Sequence, residues 1–216
     1  RGSHSAFARM FKNVAWGLGS RGFNSVASIA YLAIAARALG PNAFGEFVLI
    51  LTYGQMVANF VQFQSWKGVI RYGAIHVAAE RPDRLERLFG FTATLDFGSA
   101  FAGALLAIVA VPLVGPFFDW SADQQLSAAA FASVLLLTTG ATPTGMLRLF
   151  DRFDLVAYAE AVGPLIRLGG SIAAWIMGAA VPIFLAIWAS AAVLQAVVQW
   201  IAAVAINRSR VSFGLR

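Results

Sequence analysis

Charged and amide side chains interrupt the apolar stretches of this 216-residue sequence at helical spacing. Arg21 and Asn24 share one face of a helix, and so do Glu160 and Arg167. Three further sets lie in other apolar stretches: Gln55, Asn59 and Gln62; Gln195 and Gln199; and Asp96 by itself. An ionisable side chain in hydrocarbon costs about 2.5 to 3.5 kcal/mol on insertion scales, so each should face a partner or a water-filled cavity. A guanidinium binds phosphate through a planar fork of donors, so an arginine facing such a cavity predicts an anionic ligand.

A purely structural interpretation of these residues stays open. Amides and hydroxyls also join helices inside membranes, at about 0.6 kcal/mol per contact, and Arg21 would then neutralise Asp96 or Glu160. For Arg21 and Arg167 we favour cavity lining, because two arginines opposite two carboxylates have little reason to be buried unless something polar passes between them.

The composition places these side chains in a membrane protein. Hydrophobic residues make up 59% of the chain and charged residues 12%, against about 25% charged in an ordinary soluble domain. Too few charges remain to cover a soluble surface, so the sequence predicts an all-α integral membrane protein. The chain has no cysteine, which excludes disulfides and thiolate metal sites within it.

Six stretches are long enough to cross a bilayer core of about 30 Å, and they are bounded by charges, glycine or proline. Their approximate ranges are 14–36, 43–66, 88–118, 124–150, 155–177 and 183–206, with a kink expected at Pro143. Short connections predict an antiparallel six-helix bundle over residues 6–216. Residues 1–5 lack an initiator Met and are typical of an expression-vector remnant.

Lys and Arg are concentrated in the connections on the side of the N-terminus, while the opposite connections hold only Arg37. This asymmetry predicts a cytoplasmic N-terminus in a bacterial inner membrane. It assigns Arg148 and Arg152 to the topological anchors, which can contact membrane lipid, and leaves no reason to expect a nucleic-acid partner.

No catalytic motif is convincing. Residues 17–22 match G-x-G-x-x-G, but no strand precedes them and they lie in an apolar stretch, so a dinucleotide site is not expected. Apart from His4 in the predicted remnant, His76 stands alone, and no nucleophile, base and orienting group can be assembled. We therefore predict no enzymatic activity, no cofactor and no metal.

Two segments carry a family resemblance. Residues 36–47 read A-R-A-L-G-P-N-A-F-G-E-F, and residues 70–74 read I-R-Y-G-A. The first resembles the A-R-x-L-G-P-x-x-F-G-x-F signature of bacterial polysaccharide flippases, and the second is similar to the sequence after the second helix of that family. These flippases belong to the multidrug/oligosaccharidyl-lipid/polysaccharide exporter superfamily. The resemblance is best up to about residue 90.

The resemblance implies one lobe of a two-lobe transporter, with a second six-helix lobe supplied by the same full-length chain or by another chain. Its substrate would be an undecaprenyl-pyrophosphate-linked oligosaccharide. Arg21 and Arg167 would hold the pyrophosphate, and the amides on the second and sixth stretches would bind sugars. Asn24 would contribute to the same substrate site, and Asp96 and Glu160 would couple an ion or position the arginines. The alternatives are a multidrug antiporter of the same superfamily and a structural subunit of a polysaccharide-synthesis complex.

Overall fold

The computed structural model describes residues 2–62 and 64–212, with side chains at residues 18, 19, 21–62 and 64–208. The predicted remnant at residues 1–5 lies outside the described side chains. Seven helices and one 3-10 turn follow in order: α1 Gly2–Val61, α2 Ser65–Ala78, α3 Pro82–Val114, the 3-10 turn Gly115–Phe118, α4 Ala122–Leu137, α5 Ala141–Leu149, α6 Phe153–Ile176 and α7 Val181–Ser212. The prediction of an all-α protein is confirmed for the described residues.

Helix α1 consists of two limbs that fold back on each other at Gly40. This residue has φ 73° and ψ 173°, a conformation essentially restricted to glycine, and Pro41 begins the second limb with its φ already set for a helix. In a straight helix residues 31 and 47 would lie about 24 Å apart. Instead, the Tyr31 and Phe47 rings lie 5.2 Å and 5.0 Å from the same Trp188 ring of α7.

Two of the predicted helices are broken. The stretch predicted at 43–66 ends as a helix at Val61, and a separate helix, α2, begins at Ser65. The stretch predicted at 124–150 is interrupted at 138–140, and Pro143 lies in the first turn of α5, where its missing N–H leaves no hydrogen bond unmade. The expected kink at Pro143 is therefore a complete break a few residues earlier.

Helix α3 buries small residues and exposes large apolar ones. Between residues 100 and 107 its buried face consists of the small residues Ala100, Gly103, Ala104 and Ala107, whereas large apolar side chains such as Phe101 and Val109 are more than 60% exposed. Soluble helices bury their large apolar residues, while membrane helices pack through small ones and turn large ones toward lipid. The exposed apolar surface of α3 therefore fits a lipid environment.

Four helical stretches of the described chain are long and apolar enough to cross a membrane: Arg21–Ala78, Pro82–Phe118, Ala122–Leu149 and Val181–Arg208. Helix α6, predicted as a crossing at 155–177, is not among them, because Glu160 and Arg167 reduce its apolar character. It is nevertheless packed between α1 and α7. The chain is thus an all-α, multi-pass membrane protein.

The helices pack around two apolar cores. The larger one joins both limbs of α1 to α3, α4, α6 and α7, with Phe47, Ile50 and Phe184 fully buried. The smaller one joins α2, α5 and the adjoining ends of α3, α6 and α7 around Val69 and Leu147. The two helix breaks meet a polar cavity.

Candidate functional site

A polar cavity of about 590 Å³ opens where the two helix breaks come together. Gln62 and Gln64 from the first break line it, together with Thr138 and Gly140 from the second. Irregular backbone at membrane depth is tolerated where it is enclosed by protein or lines a water-filled space. The position of the breaks therefore marks this cavity as the candidate site.

Five of the predicted binding residues line this one cavity: Asn59, Gln62, Arg167, Gln195 and Gln199. They come from α1, the first break, α6 and α7, and the fold brings these side chains to the lining of one cavity. A sixth, Gln55, lines an adjoining pocket of about 250 Å³ that shares Arg167 and Leu135 with the cavity. Its amide donates a 3.3 Å hydrogen bond to Asn59 Oδ1, which links the two spaces.

Two glycines make room for the glutamines of α7. A Cβ at Gly163 of α6 would meet the side-chain oxygen of Gln195, and one at Gly140 would meet that of Gln199. Beside them, Trp200 Nε1 donates a 3.1 Å hydrogen bond to the carbonyl of Thr139. Helix α7 thus satisfies a carbonyl of the second break while its amides reach the cavity.

Arg167 is held by aromatic rings. Its guanidinium lies 5.9 Å from the centre of the Tyr31 ring and 5.8 Å from that of Trp188, and these rings contact each other edge to face. Its Nε is buried without a hydrogen-bond partner. Cation–π contacts fix the plane of a guanidinium without using its N–H donors, so Arg167 retains donors for an anion in the cavity.

Arg148 is a second arginine that lines the cavity. It lies on α5 with its guanidinium 5.1 Å from the centre of the Trp66 ring of α2, and its buried Nε also has no hydrogen-bond partner. The distribution of Lys and Arg among the connections predicts that Arg148 is a topological anchor. Its position one to two turns after Thr142-Pro143-Thr144 was the available signal, since Thr144 lines the same cavity.

Arg21 and Asn24 lie on the first limb of α1 and are not among the residues lining the cavity. Arg21 is exposed, while Asn24 is half-buried and its Oδ1 has no hydrogen-bond partner among the described side chains. From Asn24 a polar path leads toward Arg167: Ser28 Oγ donates to the Asn24 carbonyl, and the Tyr31 hydroxyl donates to Ser28 Oγ. Arg21 therefore does not share the lining of this cavity with Arg167.

The two predicted carboxylates have different surroundings. Asp96 is 2% exposed, and its oxygens accept hydrogen bonds from Ser65 and Thr142, so these bonds give no support to the arginine-positioning role. Glu160 is half-buried on α6 and does not line the cavity. Among the described residues, no three His, Asp or Glu side chains are grouped so that they could hold a metal ion.

The cavity therefore offers cationic and neutral donors without a carboxylate among its described lining residues. Two guanidiniums that line one cavity are suited to an anion such as phosphate, and the surrounding amides and hydroxyls can both donate to and accept from sugar hydroxyls.

Comparison with known proteins supports the membrane assignment. The chain is 28% identical over 170 residues to the inner membrane protein YghQ of Escherichia coli (strain K12), which covers 79% of the chain and 48% of that protein. The chain thus spans about half the length of the curated relative that it matches. No protein-family profile matches the sequence. No solved structure matches it either.

Proposed function

We propose that this chain is the N-terminal lobe of a flippase that moves an undecaprenyl-pyrophosphate-linked oligosaccharide across the bacterial inner membrane. The observation that carries the proposal is the cavity between the helix breaks, in which Arg148 and Arg167 each keep a buried, unpaired Nε beside several amides. A buried donor without an acceptor costs about 1 to 3 kcal/mol, and more when it is charged. An anionic ligand in the cavity would compensate the charges of the two guanidiniums that line it.

The helices would supply six passes for such a lobe. These passes would be the two limbs of α1, helix α3, the broken pair α4 and α5, and helices α6 and α7. The Lys and Arg pattern of the sequence favours a cytoplasmic N-terminus. A second six-helix lobe would complete the transporter and cover the exposed face of the first limb of α1, which carries Arg21. Alternating access would then be a rocking of the two lobes around the cavity.

Each part of the substrate has a matching part of the structure. The pyrophosphate would bind the guanidiniums of Arg148 and Arg167, which the rings of Trp66, Tyr31 and Trp188 hold in place. The sugars would occupy the space lined by the amides of Asn59, Gln62, Gln195 and Gln199, and the polyprenyl chain would remain in lipid. Moving this molecule across the membrane would require no catalytic group, because no covalent bond changes.

The alternatives fit less well. A multidrug antiporter that takes cations should line its cavity with carboxylates, whereas the described lining carries two arginines and no Asp or Glu. A purely structural subunit should seal its intramembrane arginines in protein, whereas Arg167 borders an open cavity.

The test uses the full-length protein in detergent or nanodiscs, with inorganic pyrophosphate and undecaprenyl pyrophosphate as probes. We expect Arg148→Ala and Arg167→Ala each to weaken binding of both probes by about 10- to 100-fold, the loss typical of a hydrogen bond to a charged group. Arg167→Lys should recover only part of the affinity, since an ammonium keeps the charge but loses the planar fork.

The matched control is Arg84→Ala, which removes an exposed arginine outside the cavity and should leave binding unchanged. Equal affinities for the wild-type protein and both cavity variants would refute the proposed site.

A further inference from the structure

One buried carboxylate joins the beginnings of two helices. Asp96 Oδ1, on α3, accepts a hydrogen bond from the hydroxyl of Ser65, the first residue of α2. Asp96 Oδ2 accepts from the backbone N–H of Thr142 at 2.9 Å and from its hydroxyl at 2.7 Å, and Thr142 is the second residue of α5. Three donors from two helices thus meet on one side chain of a third.

Neither helix has a cap of its own. Gln64 precedes α2 and Gly140 precedes α5, and neither position makes a side-chain capping bond. The first N–H groups of a helix lack partners inside the helix, and a negative charge at that end is favoured by the helix dipole. Asp96 therefore caps α5 from another helix and ties α2 to the same point.

Each of these helix beginnings is adjacent to a cavity wall. Gln62 and Gln64 come just before Ser65, and Thr138 and Gly140 come just before Thr142. Asp96 also borders a space of about 20 Å³ that it shares with Gln62, Thr139 and Gly140. The Asp96 carboxylate thus lies next to residues of both helix breaks.

The same two helices carry Trp66 and Arg148, which form a cation–π pair at the cavity. Trp66 directly follows Ser65 on α2, and Arg148 lies on α5 after Thr142, with its guanidinium over the Trp66 ring. Any movement of one helix beginning relative to the other would shift this pair.

We propose that Asp96 is a positioning residue that fastens the beginnings of α2 and α5 together and so fixes the shape of the cavity wall and the place of Arg148. It acts through Ser65 and Thr142 and needs no contact with a ligand. This role is distinct from ion coupling and from arginine positioning by a direct ion pair, and it holds whatever ligand the cavity takes.

The test compares Asp96→Ala and Asp96→Asn in the full-length protein, with Thr94→Ala as the matched control because its hydroxyl bonds only within α3, to the Gly90 carbonyl. Separation of the two helix beginnings is measured by the rate at which maleimide labels a single introduced cysteine, and the labelled position is identified by peptide mass. Thr139→Cys reports on the second break and Val69→Cys on α2, and both positions are buried. Ala128→Cys is buried in the larger core and reports general unfolding.

We expect Asp96→Ala to accelerate labelling at positions 139 and 69 by about 10- to 100-fold, the range expected when hydrogen bonds to a charged group are lost. Asp96→Asn should stay within a few-fold of wild type, because its amide oxygen can accept from Thr142 and its NH₂ can donate to Ser65. Thr94→Ala should change neither rate, and position 128 should label slowly throughout.

Unchanged labelling at positions 139 and 69 in folded Asp96→Ala would overturn the proposal, as would equal acceleration in the Asn variant or equal acceleration at position 128. If Asp96→Ala does not fold, the double variant Ser65→Ala with Thr142→Val removes both hydroxyl donors and should show the same pattern at smaller size. Unchanged labelling in that variant would also overturn it. Since no ligand is present, the result is independent of whether pyrophosphate binds.

Discussion

Replacing Gly145 by alanine should force α2 and α5 apart. An added Cβ would lie 2.8 Å from Val69 Cβ and 2.9 Å from the Cα of Trp66. One of these contacts is with backbone, so a rotamer change cannot relieve it, and the two helices must separate. Overpacking of a buried site costs about 1 to 3 kcal/mol. At about 2 to 4 °C per kcal/mol for a chain of this size, the expected decrease in melting temperature is about 2 to 12 °C.

The comparison is with Gly98→Ala on α3, where an added Cβ meets nothing within 4 Å. Alanine is favoured over glycine inside a helix by about 0.5 to 1 kcal/mol, so this control should be neutral or slightly stabilising. Thermal unfolding of both variants in the same detergent, followed by tryptophan fluorescence, gives the difference. A melting temperature for Gly145→Ala at or above that of Gly98→Ala would refute the reasoning about helix contact.

A functional measurement accompanies the melting experiment. Arg148 follows Gly145 by one turn of α5, and its guanidinium rests on the Trp66 ring of α2. Separation of the helices should therefore also weaken pyrophosphate binding in Gly145→Ala, while Gly98→Ala should bind as the wild type does. Loss of stability with unchanged binding would show that Arg148 does not depend on the contact between α2 and α5.

Two further predictions concern the turn in α1 and the start of α6. Gly40→Ala should destabilise the protein by about 1 to 3 kcal/mol, since alanine is strained at φ 73°, whereas Gly45→Ala, where an added Cβ meets nothing within 4 Å, should not; equal melting temperatures would contradict this. Hydrogen bonds from Arg152, at 3.0 and 2.9 Å, hold the pKa of Asp154 below its ordinary 3.8, so the pair stabilises the fold above about pH 4 and loses this effect as pH falls through the lowered pKa. Melting temperatures measured from pH 6 to pH 3 should therefore fall more steeply for the wild type than for Asp154→Asn, and parallel curves would exclude this contribution.

Helix faces were predictable from the sequence because the period of an α-helix places residues three, four or seven positions apart on one side. This rule was sufficient to group Asn59 with Gln62 and Gln195 with Gln199, and all four line the cavity. It could not establish which face of the first limb of α1 turns inward. Arg21 has the same spacing to its polar neighbours, yet its side chain is exposed.

The helix breaks and the role of Arg148 were not predictable because they depend on contacts between distant residues. At residues 138–140 the helix is interrupted, and Trp200 Nε1 donates a hydrogen bond to the carbonyl of Thr139, 61 positions earlier in the sequence. Asp96 caps the next helix by accepting from the N–H of Thr142, 46 positions later. Arg148 ends an apolar stretch, as a topological anchor does. Only the packing of α5 on α2 places it over Trp66 at the cavity.

The helix breaks and the arginines have a common physical explanation. In hydrocarbon, non-helical backbone and unpaired guanidinium donors are both unfavourable, so a chain selected only for stability would have neither. Here both breaks and both arginines border one cavity. Near the second break, Trp200 donates a hydrogen bond to the Thr139 carbonyl and Asp96 accepts one from the Thr142 N–H, both from other helices. The buried Nε atoms of Arg148 and Arg167 receive no such partner. The fold thus satisfies the backbone at this site while two arginines line the cavity, and this combination supports the proposal that the cavity binds an anion.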